Sequence, residues 1–240
     1  MRTTIACLGA LAVALVSAPA FADTTPEFTV TGAASIVSDY KFRGISQTNS
    51  EPAIQGTLGI SHKSGVYVGV WGSSVNSGLY SGSSQEIDIY GGYKKTIGKF
   101  GFDVGALYYY YPGSFSGSKT DFIEPYASVN YTMGTTNLKV GGAYAPKQGF
   151  QTRANLYGYA ELAQPIAKTP LTLHAHIGYT SSASSFKPAD YLDYSIGSDF
   201  VWKQLTFNVS YIGTDYKRAF AGPFYTSVRG KVVATLTAGF

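Results

Sequence analysis

The sequence predicts an all-β fold, a transmembrane antiparallel up-and-down β-barrel of about twelve strands. Three observations predict it: an aromatic-rich, charge-poor composition, a hydropathy period of two that recurs along residues 23–240, and connections that alternate between short and long. Of 240 residues, 15% are aromatic and only 13% charged, with 20 Tyr, 14 Phe and 28 Gly. A soluble domain carries about 25% charged residues. Disordered chains are poor in aromatics, and a single Cys builds no disulfide framework. Beyond the N-terminus no apolar run reaches the roughly 18 residues of a membrane helix. A formal net charge of +4 is too weak to point to nucleic acid.

The first segment reads as an address. Arg2 supplies a positive charge, Ile5 to Val16 an apolar run, and Ala20-Phe21-Ala22 a small-x-small cleavage site. This is the pattern of a secretory signal peptide over residues 1–22, with 23–240 as the barrel domain. Cys7 begins the apolar run rather than following it, which argues against a lipoprotein anchor.

Successive strand residues point to opposite faces, so each segment separates an apolar from a polar face. In the first, Phe28, Val30, Gly32, Ala34, Ile36, Tyr40 and Phe42 oppose Thr29, Thr31, Ser35, Asp39, Lys41 and Arg43. In the second, Ile54, Leu58 and Ile60 alternate with Gln55, Thr57 and Ser61. The third is mixed, with Tyr67 and Trp71 opposite Val66, Val68 and Val70. Ile87, Ile89 and Tyr93 then oppose Glu86, Asp88 and Lys94, and Phe100, Phe102 and Val104 oppose Asp103. Val129 and Tyr131 oppose Glu124 and Asn130. Leu138, Val140 and Tyr144 oppose Lys139, and Leu156, Ala160 and Leu162 oppose Arg153, Asn155 and Glu161. Leu171, Leu173 and Ile177 face away from His174 and His176. Tyr194, Ile196 and Phe200 face away from Asp193 and Asp199. Leu205, Phe207, Val209 and Tyr211 alternate with Thr206, Asn208 and Ser210. The last segment sets Val228, Val232, Leu236 and Phe240 against Arg229, Lys231, Thr235 and Thr237.

Connections after even-numbered segments are short, such as His62 to Gly65 and Val201 to Gln204. Those after odd-numbered ones are mostly longer and rich in Ser and Gly, such as Asn76 to Ser84, Ser181 to Ala189 and Gly213 to Thr226. Short turns at one end and long loops at the other are the layout of an outer-membrane barrel. About twelve strands enclose more space than short side chains fill. A wet lumen holds the recurring ionisable residues at little cost, whereas a dry core would not. The apolar face therefore looks outward to lipid. A terminal Phe240 on an alternating strand resembles the tail that bacterial barrel-assembly machinery recognises.

The stretch Ser38-Asp39-Tyr40-Lys41-Phe42-Arg43-Gly44-Ile45-Ser46-Gln47-Thr48, with Pro52-Ala53-Ile54-Gln55-Gly56, resembles the opening signature of the TorF-type porins, a Gcw_chp-like family. Ser64-Gly65-Val66-Tyr67-Val68-Gly69-Val70-Trp71-Gly72-Ser73 and Asp190-Tyr191-Leu192-Asp193-Tyr194 continue the likeness. The resemblance implies a proteobacterial outer-membrane protein with a pore-forming role and names no substrate.

Asp39, Lys41 and Arg43 read as successive inward positions near the top of the first strand, where they form a charged constriction or a lumenal salt-bridge ladder. Glu86, Asp88, Glu124, Arg153, Glu161, Asp193, Arg229 and Lys231 are the other lumen candidates. His174 and His176 share a face with Glu161 within reach, yet such a pair is ordinary lumen lining, and no metal or other cofactor is expected. No nucleophile elbow, Walker loop or metal-helix motif occurs, and no catalysis is expected. Of the tyrosine run Tyr108 to Tyr111, two rings face lipid and two the lumen. Lys63, Lys94, Lys95, Lys99, Lys168 and Lys203 mark the periplasmic turns, where anionic lipid is a natural neighbour.

The expectation is an outer-membrane porin for passive or weakly selective diffusion of small hydrophilic solutes, in contact with outer-membrane lipid. The alternative is a non-conducting barrel, plugged by a folded-in loop, that binds a partner through its extracellular loops. Mass spectrometry of the exported protein is expected to find Asp23 as its first residue; retention of residues 1–22 would remove the leader reading.

Overall fold

The computed structural model describes residues 26–149, 153–181, 190–216 and 227–240. The leader, its cleavage site, and most of the Ser181 to Ala189 and Gly213 to Thr226 loops lie outside the described residues. Fourteen strands follow in chain order. The first is β1 (Phe28–Val37), followed by two short ones, β2 (Lys41–Phe42) and β3 (Ile45–Ser46). Next come β4 (Ala53–His62), β5 (Val66–Ser74), β6 (Gln85–Ile97), β7 (Phe100–Tyr110), β8 (Phe122–Met133) and β9 (Thr136–Ala145). The series ends with β10 (Asn155–Pro165), β11 (Leu171–Ser181), β12 (Tyr191–Trp202), β13 (Leu205–Thr214) and β14 (Lys231–Gly239). All but β2 and β3 form one closed antiparallel barrel of twelve strands, as the hydropathy period predicts.

Closure joins the two ends of the chain. Ala33 to Val37 of β1 pair with Gly239 back to Thr235 of β14. Gly32 and Phe240 exchange two backbone hydrogen bonds of 3.0 and 2.9 Å below them. Ser35 and Thr237 bridge their hydroxyls across the same seam at 2.8 Å.

Polarity is inside out. Ile54, Ile196 and Val232 are 72%, 66% and 66% exposed, while the most completely buried large side chains are Glu86 and Asp88. An apolar exterior of this extent needs a non-aqueous surrounding, and closing the sheet pairs backbone groups within the protein, as hydrocarbon requires. Exposed rings gather at both rims. Tyr108, Tyr110, Tyr144, Tyr179 and Tyr194 stand near the long-loop end, and Phe28, Phe100, Phe200, Trp202 and Phe240 near the short-turn end. These are the two aromatic girdles of a membrane barrel. The tyrosine run divides as expected, with Tyr109 and Tyr111 buried inside. On β5 the ambiguity is resolved, because Val66, Val68 and Val70 look outward and Tyr67 and Trp71 fill the lumen.

Inward aromatics need room on the neighbouring strands. Gly92 and Gly105 face each other across β6 and β7. The hydroxyls of Tyr67 and Tyr126 share a hydrogen bond over this pair, and Tyr67 also donates to Asp103 at 2.6 Å. A Cβ on Gly105 would stand 2.5 Å from the Gly91 carbonyl oxygen and from the Tyr126 hydroxyl. On β10 a Cβ at Gly158 would meet nothing within 4 Å. Gly105→Val is therefore expected to destabilise the barrel by about 1–3 kcal/mol, read as a lower urea midpoint in detergent. Gly158→Val should stay within about 0.5 kcal/mol of the parent, and equal effects would contradict the packing described.

Candidate functional site

The alternation that reads as one long first strand ends at Val37. Ser38 still donates its N–H to the Ala234 carbonyl at 2.9 Å, and the chain then turns into the barrel. Lys41–Phe42 pairs with Ile45–Ser46 as a miniature hairpin. Its two turn residues, Arg43 and Gly44, have φ of 47° and 78°. Positive φ at both positions is the two-residue turn that matches strand twist. Gly44 suits it, whereas an Arg in this region is uncommon. Contacts on the far wall hold Arg43 there.

Those contacts cross the lumen. Arg43 Nη2 meets Glu124 Oε2 of β8 at 2.7 Å, and Nη1 donates to Asn155 Oδ1 of β10 at 3.1 Å. The guanidinium lies 4.0 Å from the Tyr157 ring centre and 4.7 Å from that of Phe42. Phe42 meets Tyr109 of β7 edge-on at 6.0 Å, and Tyr109 donates to Glu124 at 3.2 Å. At the base, Asp39 accepts from Ser46 Oγ at 2.5 Å and Thr48 Oγ1 at 3.2 Å. Lys41 Nζ lies 3.6 Å from Asp39 and donates to the carbonyls of Ser227 and Arg229 at 3.4 and 3.0 Å. Burial lowers the Lys41 ammonium pKa, with Asp39 opposing it. Burial also works against the Arg43 charge, but Glu124 outweighs it, and the guanidinium ends above its ordinary value. Both residues lie on the inward hairpin, off the membrane-spanning strands.

Lower down, Glu161 of β10 pairs with Lys139 at 3.8 Å and with His176 Nδ1 at 3.5 Å. His176 Nε2 reaches Asp193 of β12 at 2.9 Å. Toward the short-turn end, His174 meets Asn208 at 2.9 Å and Asp199 at 3.5 Å. Side-chain exposure there is 25% for His174 and 29% for Asp199, against 5% for Glu124 and 4% for Asp193. The polar groups of the lumen are therefore more exposed toward the short-turn end than beside the hairpin.

The sequence candidates divide accordingly. Arg43 and Glu124 come together, as do Asp39 with Lys41 and Glu161 with Asp193 through His176. Asp39, Lys41 and Arg43 are not on β1, because the polar alternation runs on across Ser38 although the sheet pairing does not. Arg153 and Arg229 are exposed and precede β10 and β14 rather than lining the wall. Lys231 is half-buried at the first residue of β14. Tyr40, Tyr109 and Tyr157 belong to the constriction although the polar pattern did not single them out, and Asn155, already on the polar face of its segment, joins them. The Arg43-Gly44 pair was the turn signal in the sequence. Among the described residues no group of three or more His, Cys, Asp and Glu has the geometry of a metal site. At a periplasmic turn His62 contacts Ser64 Oγ at 2.8 Å and Glu27 at 3.3 Å. The Ser64 N–H also donates to the same ring nitrogen, so this solvent-exposed trio caps the turn.

Residues 21–240 match the family described as "Bacterial protein of unknown function (Gcw_chp)". The chain belongs to the Gcw_chp family. As a bacterial closed β-barrel with an apolar exterior and two aromatic girdles, this Gcw_chp protein resides in the outer membrane. No curated protein matches it. Among solved structures it is similar to OccD1 (OprD), at 10% identity and TM-score 0.48, covering 94% of this chain and 72% of that one. It is also similar to OprD of Pseudomonas aeruginosa, at 9% identity and TM-score 0.48, covering 79% and 60%. A third likeness is the translocator domain of the autotransporter NalP from Neisseria meningitidis, at 14% identity and TM-score 0.44, covering 90% and 89%. For the Gcw_chp chain the weight rests on its own geometry.

Removing one partner of a buried ion pair costs about 3–5 kcal/mol in soluble proteins. Arg43→Ala is therefore expected to free the hairpin while leaving the barrel folded. Amide exchange at Ser46, Gln47 and Thr48 should rise by at least about tenfold, or about 1.4 kcal/mol, with β7 and β8 unchanged. Unaltered protection at Ser46–Thr48 would show that the ion pair does not hold the hairpin.

Proposed function

We propose that this chain is a TorF-type outer-membrane channel for passive, weakly selective diffusion of small hydrophilic solutes or ions. Its narrowest level is that of the hairpin around Arg43. The observation that carries this reading is a charged lumen whose side chains are more exposed toward the short-turn end and which is crossed by one inward segment bound to the opposite wall. Rings of opposite charge held close together order permeating ions by field as well as by width. Export through the residue 1–22 leader and recognition of the Phe240 strand by the barrel-assembly machinery belong to the same reading. No catalytic step is proposed. A second reading, a non-conducting barrel that binds through its extracellular loops, is favoured by the same hairpin if it never leaves the lumen.

Refolded protein in planar bilayers distinguishes them. Small, discrete, salt-dependent conductance steps are expected from the parent chain, and steps at least about threefold larger from Arg43→Ala, because conductance follows open cross-section. The sign of the reversal potential in a salt gradient reports whether acidic or basic groups dominate the throat. Silence from both proteins, once shown to be folded and inserted, would overturn the channel reading and leave the binding role.

A further inference from the structure

The lumen carboxylates can be assigned to cations one by one. Glu124 has Arg43, Asp39 has Lys41, and Glu161 has Lys139 and His176. Asp193 shares His176, Asp199 has His174, and Asp103 has Lys94. Among the described residues Glu86 and Asp88 have none, yet they are the most deeply buried acids, at 2% and 1% exposure. They stand two apart on the inward face of β6, about 7 Å between their backbone positions. Glu86 Oε1 accepts from the Tyr40 hydroxyl at 3.1 Å. Tyr111 also approaches the Glu86 carboxylate, yet among the described residues Glu86 Oε2 and Asp88 Oδ1 are buried with no hydrogen-bond partner within 3.5 Å.

Two adjacent buried carboxylates with no counter-charge among the described residues carry a large desolvation and repulsion cost. Either they take up protons or something positive sits between them. We propose that Glu86 and Asp88 bind a divalent hard cation of the calcium class in the upper lumen. Two carboxylates neutralise a double charge, and the open oxygens are hard donors of the kind such ions take, with Tyr40 and water completing a flexible shell. With only two carboxylates the site is weak, on the order of 10⁻⁴–10⁻³ M. A weak site lets an ion enter and also leave. The ion's part in passage rests on the channel reading; the binding itself does not.

Trp71 lies directly across β5–β6 from Asp88, so it is placed to sensitise a bound lanthanide. Folded protein in zwitterionic detergent, titrated with Tb³⁺, should give saturable emission on indole excitation that Ca²⁺ competes away. Glu86→Gln with Asp88→Asn should weaken binding at least about tenfold, whereas Glu161→Gln should leave it within about twofold. As a second readout, Ca²⁺ should raise the unfolding temperature of the parent and not of the double variant. No saturable emission from folded parent protein, or emission indifferent to the double substitution, would overturn the site and leave a proton-sharing pair. Conductance without ion binding would sink this inference alone. Binding by a protein silent in bilayers would sink the channel reading alone.

Discussion

Hydrocarbon offers no hydrogen bonds, and the rest of the structure follows from that. Each backbone N–H and C=O at membrane depth must find its partner within the protein, so the sheet has to close. Closure through the Ala33–Gly239 register makes the first and last strands neighbours and pairs their backbones from Gly32 to Ser38. With lipid outside, the apolar side chains face outward and the polar ones are sent inside. The consequence is a polar centre whose groups must satisfy one another or meet water.

The lumen shows both solutions. Near the periplasmic end, His174, Asn208 and Asp199 keep some exposure and share their polarity with solvent. In the upper half, where burial is nearly complete, charge is matched by charge at Asp39, Glu124 and Asp193, while Glu86 and Asp88 have no ion-pair partner among the described residues. The hairpin supplies much of that matching, because Arg43 brings a cation to Glu124 from the far side of the barrel. A polar interior and an inward segment are thus two aspects of one electrostatic problem. The tyrosines add to both, since Tyr109 and Tyr157 pack against hairpin residues while their hydroxyls bond to Glu124 and Asp193.

The fold was legible because lipid and lumen impose a strict period of two, which Val66, Val68 and Val70 keep even where Tyr67 and Trp71 obscure the polar face. Loop lengths carried the orientation. The constriction was only half legible. Asp39 to Arg43 continue the alternation past the point where β1 loses its partners, and nothing in a periodic pattern marks the end of pairing. Arg153 and Arg229 fell on the right parity but two residues outside their strands. The Arg43–Glu124 contact depends on the curvature and stagger of a closed sheet, which spacing along the chain does not encode. Tyr40 and Phe42 read as lipid-facing because the alternation runs on past Ser38; the chain turns inward there, and both pack inside, Tyr40 against Glu86 and Phe42 against Tyr109.

The position of the hairpin in the chain bears on the order of assembly. It directly follows the first strand, while its partners Glu124 and Asn155 come 81 and 112 residues later. Its contacts with the opposite wall therefore close shorter loops than the seam between the first and last strands. Joining the two ends spans nearly the whole barrel domain, so it carries the greatest loop-closure entropy of any contact in the molecule. A hairpin that already holds β8 and β10 shortens that search by drawing distant strands into an arc. The segment that crosses the finished barrel thus also ties its first strand to the opposite wall at a shorter sequence separation than the closing seam.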